Sequence, residues 1–252
     1  MFFLASNHNP TLRTLAVLEL ISTKGQAFSL SEISRQLNLS VSTLFPVLHT
    51  LHEQKYLAFD EKTKTYSLGL RLFEIGSRVQ ATHSYQEIYS IMNGIVQACG
   101  ETCHFGTLDK GDVLYLAKVD STQPIRMFSM IGRRLPAYGT GLGKALLKGY
   151  SIEDLKVIYP EGLKPLTKNT ITDFETLHHQ LHTNDIFVYE CEESNEFIRC
   201  IAIPIYRQGM VVASCSVAIP IFRYNEQKEL DVKNALKHAL IQFEKIVHCM
   251  IF

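Results

Sequence analysis

A glycine-rich stretch at residues 139–144 (GTGLGK) is the first candidate for ligand chemistry in this chain. It does not fit a phosphate-binding loop, because Tyr138 stands where the first glycine is needed and Ala145 follows the lysine. It also lacks the third glycine of a dinucleotide fingerprint. A glycine-rich turn that opens a predicted helix can still bind a small anion such as a carboxylate through its backbone N–H groups. The alternative is a tight turn whose glycines need positive φ angles.

Three polar residues, Glu190, Cys200 and Ser216, lie on or beside the last three predicted strands and can converge in one pocket under the glycine-rich stretch. Catalysis would need a base that activates the cysteine. His178, His179 and His182 lie on one predicted helix with no evident route to Cys200. No ligand spacing indicates a metal site, and no cofactor is predicted. We therefore expect a binding pocket, with a small-molecule hydrolase as the alternative from another class.

A second pattern, within residues 28–56, predicts two short helices joined by a three-residue turn. Ser40 can cap the second helix, and Ser29 with Glu32 forms a capping box at the start of the first. The apolar residues with helical spacing are Leu30, Ile33 and Leu37 in the first helix and Val41, Leu44, Leu48 and Leu51 in the second. Such a pair is typical of a helix-turn-helix, whose second helix enters the DNA major groove. Two amphipathic helices that serve only core packing are the alternative.

The flanking elements complete a winged helix. Residues 11–22 form an apolar helix that packs behind the pair, and two short strands flank a polar tip at residues 60–65. Lys62 and Lys64 on this tip can reach the DNA backbone, although a solvated surface turn would carry the same residues. A short amphipathic helix at 69–82 is expected to connect two domains and to contact a second copy of the chain. The predicted domains are residues 1–68, a linker helix at 69–83 and residues 84–252.

The second domain is predicted to combine a sheet with helices. Predicted strands cover residues 102–108, 112–119, 125–129, 186–191, 198–206 and 210–219, and predicted helices cover 84–98, 151–158, 173–183 and 225–248. Because strands follow strands directly and helices lie at the ends, the order favours an antiparallel sheet backed by helices. The whole chain is therefore predicted to be α+β.

The composition, with 46% hydrophobic and 20% charged residues, is that of an ordinary globular protein. A net charge of +0 excludes a global basic field that would attract nucleic acid or membranes. Through residue 80, eight Lys and Arg stand against six Asp and Glu, a small bias of the sign that suits DNA. The six cysteines form no CxxC pair and are expected to be reduced. Because no apolar run is long enough for a membrane helix and no signal peptide is evident, we expect a cytoplasmic protein.

Several motifs resemble the IclR family of bacterial transcription regulators, from about residue 10 to the end. They are LSEISRQLNLSVSTLFPVLHTLHEQKYL, YSLGLRLFEIG, IGRRLPAYGTGLGKALL, EESNEFIRCIAIPI and SVAIPIFR. The stretches ETCHFGTLD, IRMFSMIGRRLP and LKPLTKNTIT are similar to regulators of 2-keto-3-deoxygluconate and related sugar-acid catabolism. The resemblance implies a winged helix-turn-helix domain that binds a palindromic operator as a dimer or dimer of dimers. It also implies a GAF-like effector-binding domain for a small organic acid, and hence a repressor of a carbohydrate or sugar-acid catabolic operon.

The resemblance also implies the residues of the effector site. Carried onto this sequence, they are Gly141, Leu142, Glu190, Cys200 and Ser216, with Met127 and Ile131 as apolar walls. This chain differs from the family pattern at three positions near the site. Glu190 stands in place of the usual aspartate, Ala218 in place of a second serine, and Phe197 in place of a glycine. These differences leave the identity of the acid open.

The DNA-binding residues are predicted to lie on the second helix and around it. They are Arg13, Ser31, Ser40, Ser42, Thr43, Phe45, Pro46, His49, Thr50, Lys62 and Lys64. Residues 40–54 contain no Lys or Arg, and Val41 and Pro46 stand where the family often has them. Pro46 also removes a backbone hydrogen bond to Ser42 and can kink the helix. A winged helix that acts through protein contacts therefore remains an alternative.

Overall fold

The computed structural model describes residues 9–183 and 185–249. The chain forms two compact units, the first ending at Thr82 and the second beginning at His83. The elements of the first unit are α1 (Asn9–Lys24), β1 (Phe28–Ser29), α2 (Leu30–Leu37), α3 (Val41–Glu53), β2 (Leu57–Asp60), β3 (Thr65–Leu68) and α4 (Leu70–Gln80). The three strands pair antiparallel in the order β1-β3-β2, so this unit is a winged helix.

Capping residues fix the ends of the helix-turn-helix. The Ser29 hydroxyl accepts a hydrogen bond from the Glu32 N–H, and the Glu32 carboxylate accepts one from the Ser29 N–H in return. Asn38 ends α2 in the left-handed region, with φ 52°. The Ser40 hydroxyl then accepts from the Thr43 N–H and opens α3. The turn between α2 and α3 is therefore fixed at both ends by the residues that end the first helix and cap the second.

The helix α3 continues through Pro46 to Glu53. The Thr50 hydroxyl donates to the Pro46 carbonyl at 2.8 Å. The buried core beneath the helices consists of Val17, Ile21, Phe28, Ile33, Leu44, Leu48, Leu51, Leu57 and Tyr66. Since α3 contributes three of these residues, packing holds the helix in place although the proline removes one backbone donor.

The wing is a hairpin with a compact tip. The Asp60 carboxylate accepts from the N–H groups of Lys62 and Thr63, at 2.8 and 3.3 Å. Lys64 takes a left-handed φ of 54°, and its ammonium lies 2.7 Å from the Glu61 carboxylate. The two lysines of the tip therefore differ, because Lys64 already has an anionic neighbour.

The helix α4 has no buried residue of its own. Leu70, Phe73 and Val79 are 83%, 76% and 54% exposed. Gly69 precedes the helix where the chain passes the Lys55 carbonyl so closely that a Cβ would collide with it. An exposed helix with this much apolar surface is typical of a segment that contacts a partner.

The second unit combines one sheet with five α-helices in its described residues. Its elements are α5 (His83–Cys99), β4 (Thr102–Asp109), β5 (Asp112–Val119), β6 (Arg134–Pro136), α6 (Gly141–Leu146), α7 (Ile152–Ile158), α8 (Phe174–Leu181), β7 (Val188–Cys191), β8 (Ile198–Arg207), β9 (Met210–Pro220) and α9 (Glu226–Ile246). The strand order is β6-β5-β4-β9-β8-β7, and all neighbours are antiparallel. The predicted α+β class with an antiparallel sheet is confirmed.

The two faces of this sheet differ in polarity. One face packs against α5 and α9 through Phe105, Ile203, Val217 and their neighbours. Cys103 and Cys215 lie within this core, with their sulfur atoms 3.4 Å apart as free thiols. Because side chains alternate along a strand, the residues between these point to the opposite face.

The predicted strand at residues 125–129 is wrong. The outer neighbour of β5 is instead β6, which begins at Arg134. Met127 and Ser129 are buried, while Phe128 and Met130 are 78% and 57% exposed. Burial therefore alternates along an irregular segment that has one side against the unit, without the backbone pairing of a strand.

Candidate functional site

The exposed side of α3 mixes polar and apolar residues and carries no Lys or Arg. Of the residues predicted to contact DNA, Ser31, Ser40, Ser42, Phe45, Pro46, His49, Thr50, Lys62 and Lys64 are exposed, and Arg13 and Thr43 are half-buried. At the start of α3, the Ser40 hydroxyl lies 3.0 Å from the Ser42 hydroxyl and 2.7 Å from the Thr43 hydroxyl. These hydroxyl groups can exchange partners with phosphate oxygens or base edges, which is what a DNA-contacting helix needs.

A buried polar site lies on the second face of the sheet. The register pairs Glu190 on β7 with Cys200 on β8, and Cys200 with Ala218 on β9. Gly141 at the start of α6 lies directly against this row, since a Cβ there would be 2.7 Å from the Cys200 Cβ and 3.4 Å from the Glu190 Cβ. Met127 packs on Cys200 and Ala218. Gly141, Glu190 and Met127 thus all lie against Cys200, which brings four of the predicted effector residues together.

The adjacent row of the sheet carries Ser216 and His104, which are register partners on β9 and β4. Both are buried. The His104 Nε2 lies 2.7 Å from the Ser129 hydroxyl, and its ring meets Tyr115 edge to face. Burial, helped by the charge of Lys118, lowers the pKa of His104 to about 4, so the imidazole is neutral near pH 7.

Glu190 is 2% exposed. Its Oε1 accepts hydrogen bonds from the N–H groups of Glu193 and Ser194, at 2.5 and 3.1 Å. Burial raises its pKa, although the neighbouring Cys200 thiol and the two N–H donors oppose the shift. The pKa of Cys200 is also raised, by burial and by the negative charge of Glu190, so this cysteine is held as a thiol rather than a reactive thiolate.

A fully buried ion pair, Lys144–Glu193, lies next to this site. The Lys144 ammonium lies 2.5 Å from the Glu193 carboxylate and 2.7 Å from the Gln180 side-chain oxygen. Burial lowers the pKa of Lys144, and the charge of Glu193 opposes this shift. The pair joins α6 and α8 to the turn after β7. Since the lysine is already bound, it is not a free cation for a ligand.

The glycine-rich stretch serves close packing. Gly139, Gly141 and Gly143 do not have positive φ angles, so the tight-turn alternative is wrong. A Cβ at Gly143 would collide with the Ala137 backbone, and one at Gly139 would lie 2.6 Å from the Leu166 side chain. These glycines therefore let α6 approach its neighbours.

The remaining predicted effector residues lie around this row. Leu142 packs on Val113 and Tyr115, and its carbonyl accepts from the Ser214 hydroxyl at 2.8 Å. Ile131 is 42% exposed and is not part of the buried cluster that holds Met127. His104, Ser129, Lys144 and Glu193 are not among the residues predicted from the sequence, yet the structure places them around the site. A lysine inside the apolar run of α6 was a signal for a buried partner.

Within residues 9–183 and 185–249, no group of three His, Cys, Asp or Glu side chains could hold a metal ion. None of the helices in this described part is long and apolar enough to cross a membrane.

Two family models match this chain: "IclR helix-turn-helix domain" over residues 10–61 and "Bacterial transcriptional regulator IclR C-terminal" over residues 77–243. The chain is 33% identical over 223 residues to the HTH-type transcriptional regulator KdgR of Escherichia coli K12, covering 86% of this chain and 84% of that protein. It is 28% identical over 224 residues to the HTH-type transcriptional repressor AllR of the same strain, covering 86% and 82%.

A solved IclR homologue from Microbacterium hydrocarbonoxydans, complexed with 4-hydroxybenzoate, has the same fold. Its TM-score is 0.79 at 22% identity, covering 96% of this chain and all of the homologue. The two models span most of the winged helix and most of the second unit, and the similarity to KdgR extends over most of the chain. The chain belongs to the IclR family of bacterial transcription regulators.

Proposed function

We propose that this regulator is a repressor of a carbohydrate or sugar-acid catabolic operon and is controlled by a small carboxylate. The observation that carries the proposal is the buried polar row Glu190–Cys200 with Gly141 and Met127 against it. Buried polar groups on a sheet face, with apolar neighbours, are typical of a small-molecule pocket. The names of the relatives, KdgR and the repressor AllR, and the bound 4-hydroxybenzoate of the homologue support the same reading.

In this proposal the effector meets Gly141, Leu142, Glu190, Cys200 and Ser216, with Met127 and Ile131 as walls. DNA is contacted through Thr43 and the exposed α3 residues, while Arg13, Lys62 and Lys64 supply charge. The chain acts as a dimer or dimer of dimers, and the exposed apolar side of α4 supplies a contact between copies. Effector binding then favours one of two dimer geometries, whose half-site spacing does or does not fit the operator.

A gel shift with the purified protein and its own upstream DNA tests the proposal. The acids to be added are 2-keto-3-deoxygluconate, gluconate, glucuronate, pyruvate and glyoxylate. We expect a shifted band that one acid releases. A Glu190→Ala protein should give the same band and lose the release, because the DNA-binding unit is unchanged. Release that is normal in this variant would show that the pocket lies elsewhere.

Two other functions can be separated from this one. A winged helix used for protein contacts gives no band even at low salt, whereas DNA binding through several phosphates weakens steeply as salt rises. A hydrolase would need an activated nucleophile. The raised pKa of Cys200 argues against it in that role.

A further inference from the structure

The two carboxyl oxygens of Glu190 have different surroundings. Oε1 accepts two backbone N–H groups, from Glu193 and Ser194. Oε2 is buried and has no hydrogen-bond partner within the part of the chain that the structure describes. A buried polar atom without a partner is unfavourable unless something else bonds to it. Oε2 is therefore the atom of this side chain that is left for a ligand.

The surroundings of Glu190 determine where its proton can lie. Burial disfavours the charged form of a carboxyl group. Since Oε1 is already an acceptor for two N–H groups, a proton on this carboxyl belongs on Oε2. Oε2 is then a donor, and the ligand atom that complements it is an acceptor such as a carboxylate oxygen.

Among the described residues, the ionisable groups that face Glu190 give no free positive charge for an anion. They are the Cys200 thiol on β8, the Tyr115 phenol on β5, the Glu193 carboxylate after β7 and the Lys144 ammonium on α6. Burial raises the pKa of both the thiol and the phenol, so these are neutral. Lys144 is bound by Glu193. An ionised Glu190 would therefore place a like charge directly beside a bound carboxylate.

We propose that Glu190 binds the effector as a carboxylic acid, with its proton on Oε2 donated in a hydrogen bond to the effector's carboxylate. This inference rests on the proposed function, because it takes a carboxylate as the ligand. When Glu190 is ionised in the free site, one proton from solvent joins it for each acid bound, and no other bond changes. Binding of the acid is then linked to proton uptake.

Infrared difference spectroscopy of the full chain, with and without 2-keto-3-deoxygluconate, tests the protonation state directly. We expect the complex to show the band of a protonated carboxyl group, and we expect the Glu190→Gln complex to lack it. Subtracting the two spectra removes the carbonyl bands of 2-keto-3-deoxygluconate itself. ¹³C-glutamate labelling should shift this band, which keeps the test valid if the variant does not bind. A complex in which Glu190 shows only carboxylate bands overturns the proposal.

Calorimetric titration of the protein with the acid, from pH 5 to 8.5, measures the affinity and the number of protons taken up on binding. Above the pKa of free Glu190, the affinity for the acid should fall up to tenfold per pH unit, with uptake of up to one proton per site. Glu190→Gln should remove this slope, and the exposed control His182→Gln should keep it. A slope that persists in Glu190→Gln and disappears in His104→Gln overturns the proposal. If the acid binds at no pH, the proposed function fails instead.

Discussion

The exposed side of α3 and the second face of the sheet carry similar hydroxyl groups in opposite environments. On α3, Ser40, Ser42 and Thr43 lie in reach of water and bond mainly to one another. On the sheet, Ser216 is buried beside its register partner His104, and Ser129, from the irregular segment before β6, is buried against the same histidine. An exposed hydroxyl changes partner at little cost, whereas a buried one must keep a partner. Substitutions on the first surface should therefore change mainly DNA binding, whereas those on the second should change effector binding or stability.

The largest effect is expected at the buried ion pair. Lys144→Met should lower the free energy of unfolding of the second unit by about 3–5 kcal/mol, because it leaves the Glu193 carboxylate buried without its cation. Urea denaturation followed by circular dichroism measures this. The double variant Lys144→Met/Glu193→Leu should recover most of the loss, since no charge is then left unpaired. A double variant as unstable as the single one would contradict an electrostatic origin.

Ser216→Ala should have the next largest effect. We expect about tenfold weaker binding of the acid, from the loss of one hydrogen bond, while operator binding stays the same. Calorimetry with the acid and a gel shift without it measure the two properties.

Ser214→Ala is the matched control on the same strand and face. Its hydroxyl donates to the Leu142 carbonyl, so this change should cost about 1 kcal/mol of stability. A normal response to the acid in Ser216→Ala would exclude this serine from the pocket.

These two regions also differ in how far the sequence predicts them. The helix-turn-helix follows from local signals, namely the Ser29–Glu32 capping box, the Ser40 cap and apolar residues with helical spacing, and the structure shows each cap. The contact between Gly141 and Glu190 depends instead on the register of β7 with β8 and on a close helix approach. No local pattern encodes such a register, so the sequence can name these residues but cannot give their geometry.

The unpredicted residues show the same limit. Lys144 and Glu193 are 49 positions apart, so the sequence can indicate that Lys144 has a buried partner but cannot say which residue it is. His104 and Ser129 meet through a segment that was predicted to be a strand. In that segment buried and exposed residues alternate as they do in a strand, but alternation does not report whether a backbone partner exists.

On the exposed side, stability and DNA binding should separate. Ser40→Ala should cost about 1 kcal/mol of the first unit's stability, because the cap of α3 is lost. Thr43→Ala keeps the cap and should mainly weaken specific DNA binding. Thermal unfolding and a gel shift with specific and unrelated DNA distinguish the two variants. Unchanged DNA binding in Thr43→Ala would argue that another face reads the operator.

The smallest effects are expected at the wing tip, and they should be unequal. A lysine that contacts one phosphate contributes about 0.9 to the slope of log affinity against log salt. Lys62→Ala should lose about that much, while Lys64→Ala should lose less, because its ammonium already lies beside Glu61. Glu61→Ala is the control that frees Lys64, and it should tighten DNA binding at low salt. Equal slopes for both lysine variants would mean that DNA displaces the Glu61 contact of Lys64 entirely. If the wing does not contact the DNA backbone, all of these variants should keep the slope of the unchanged protein.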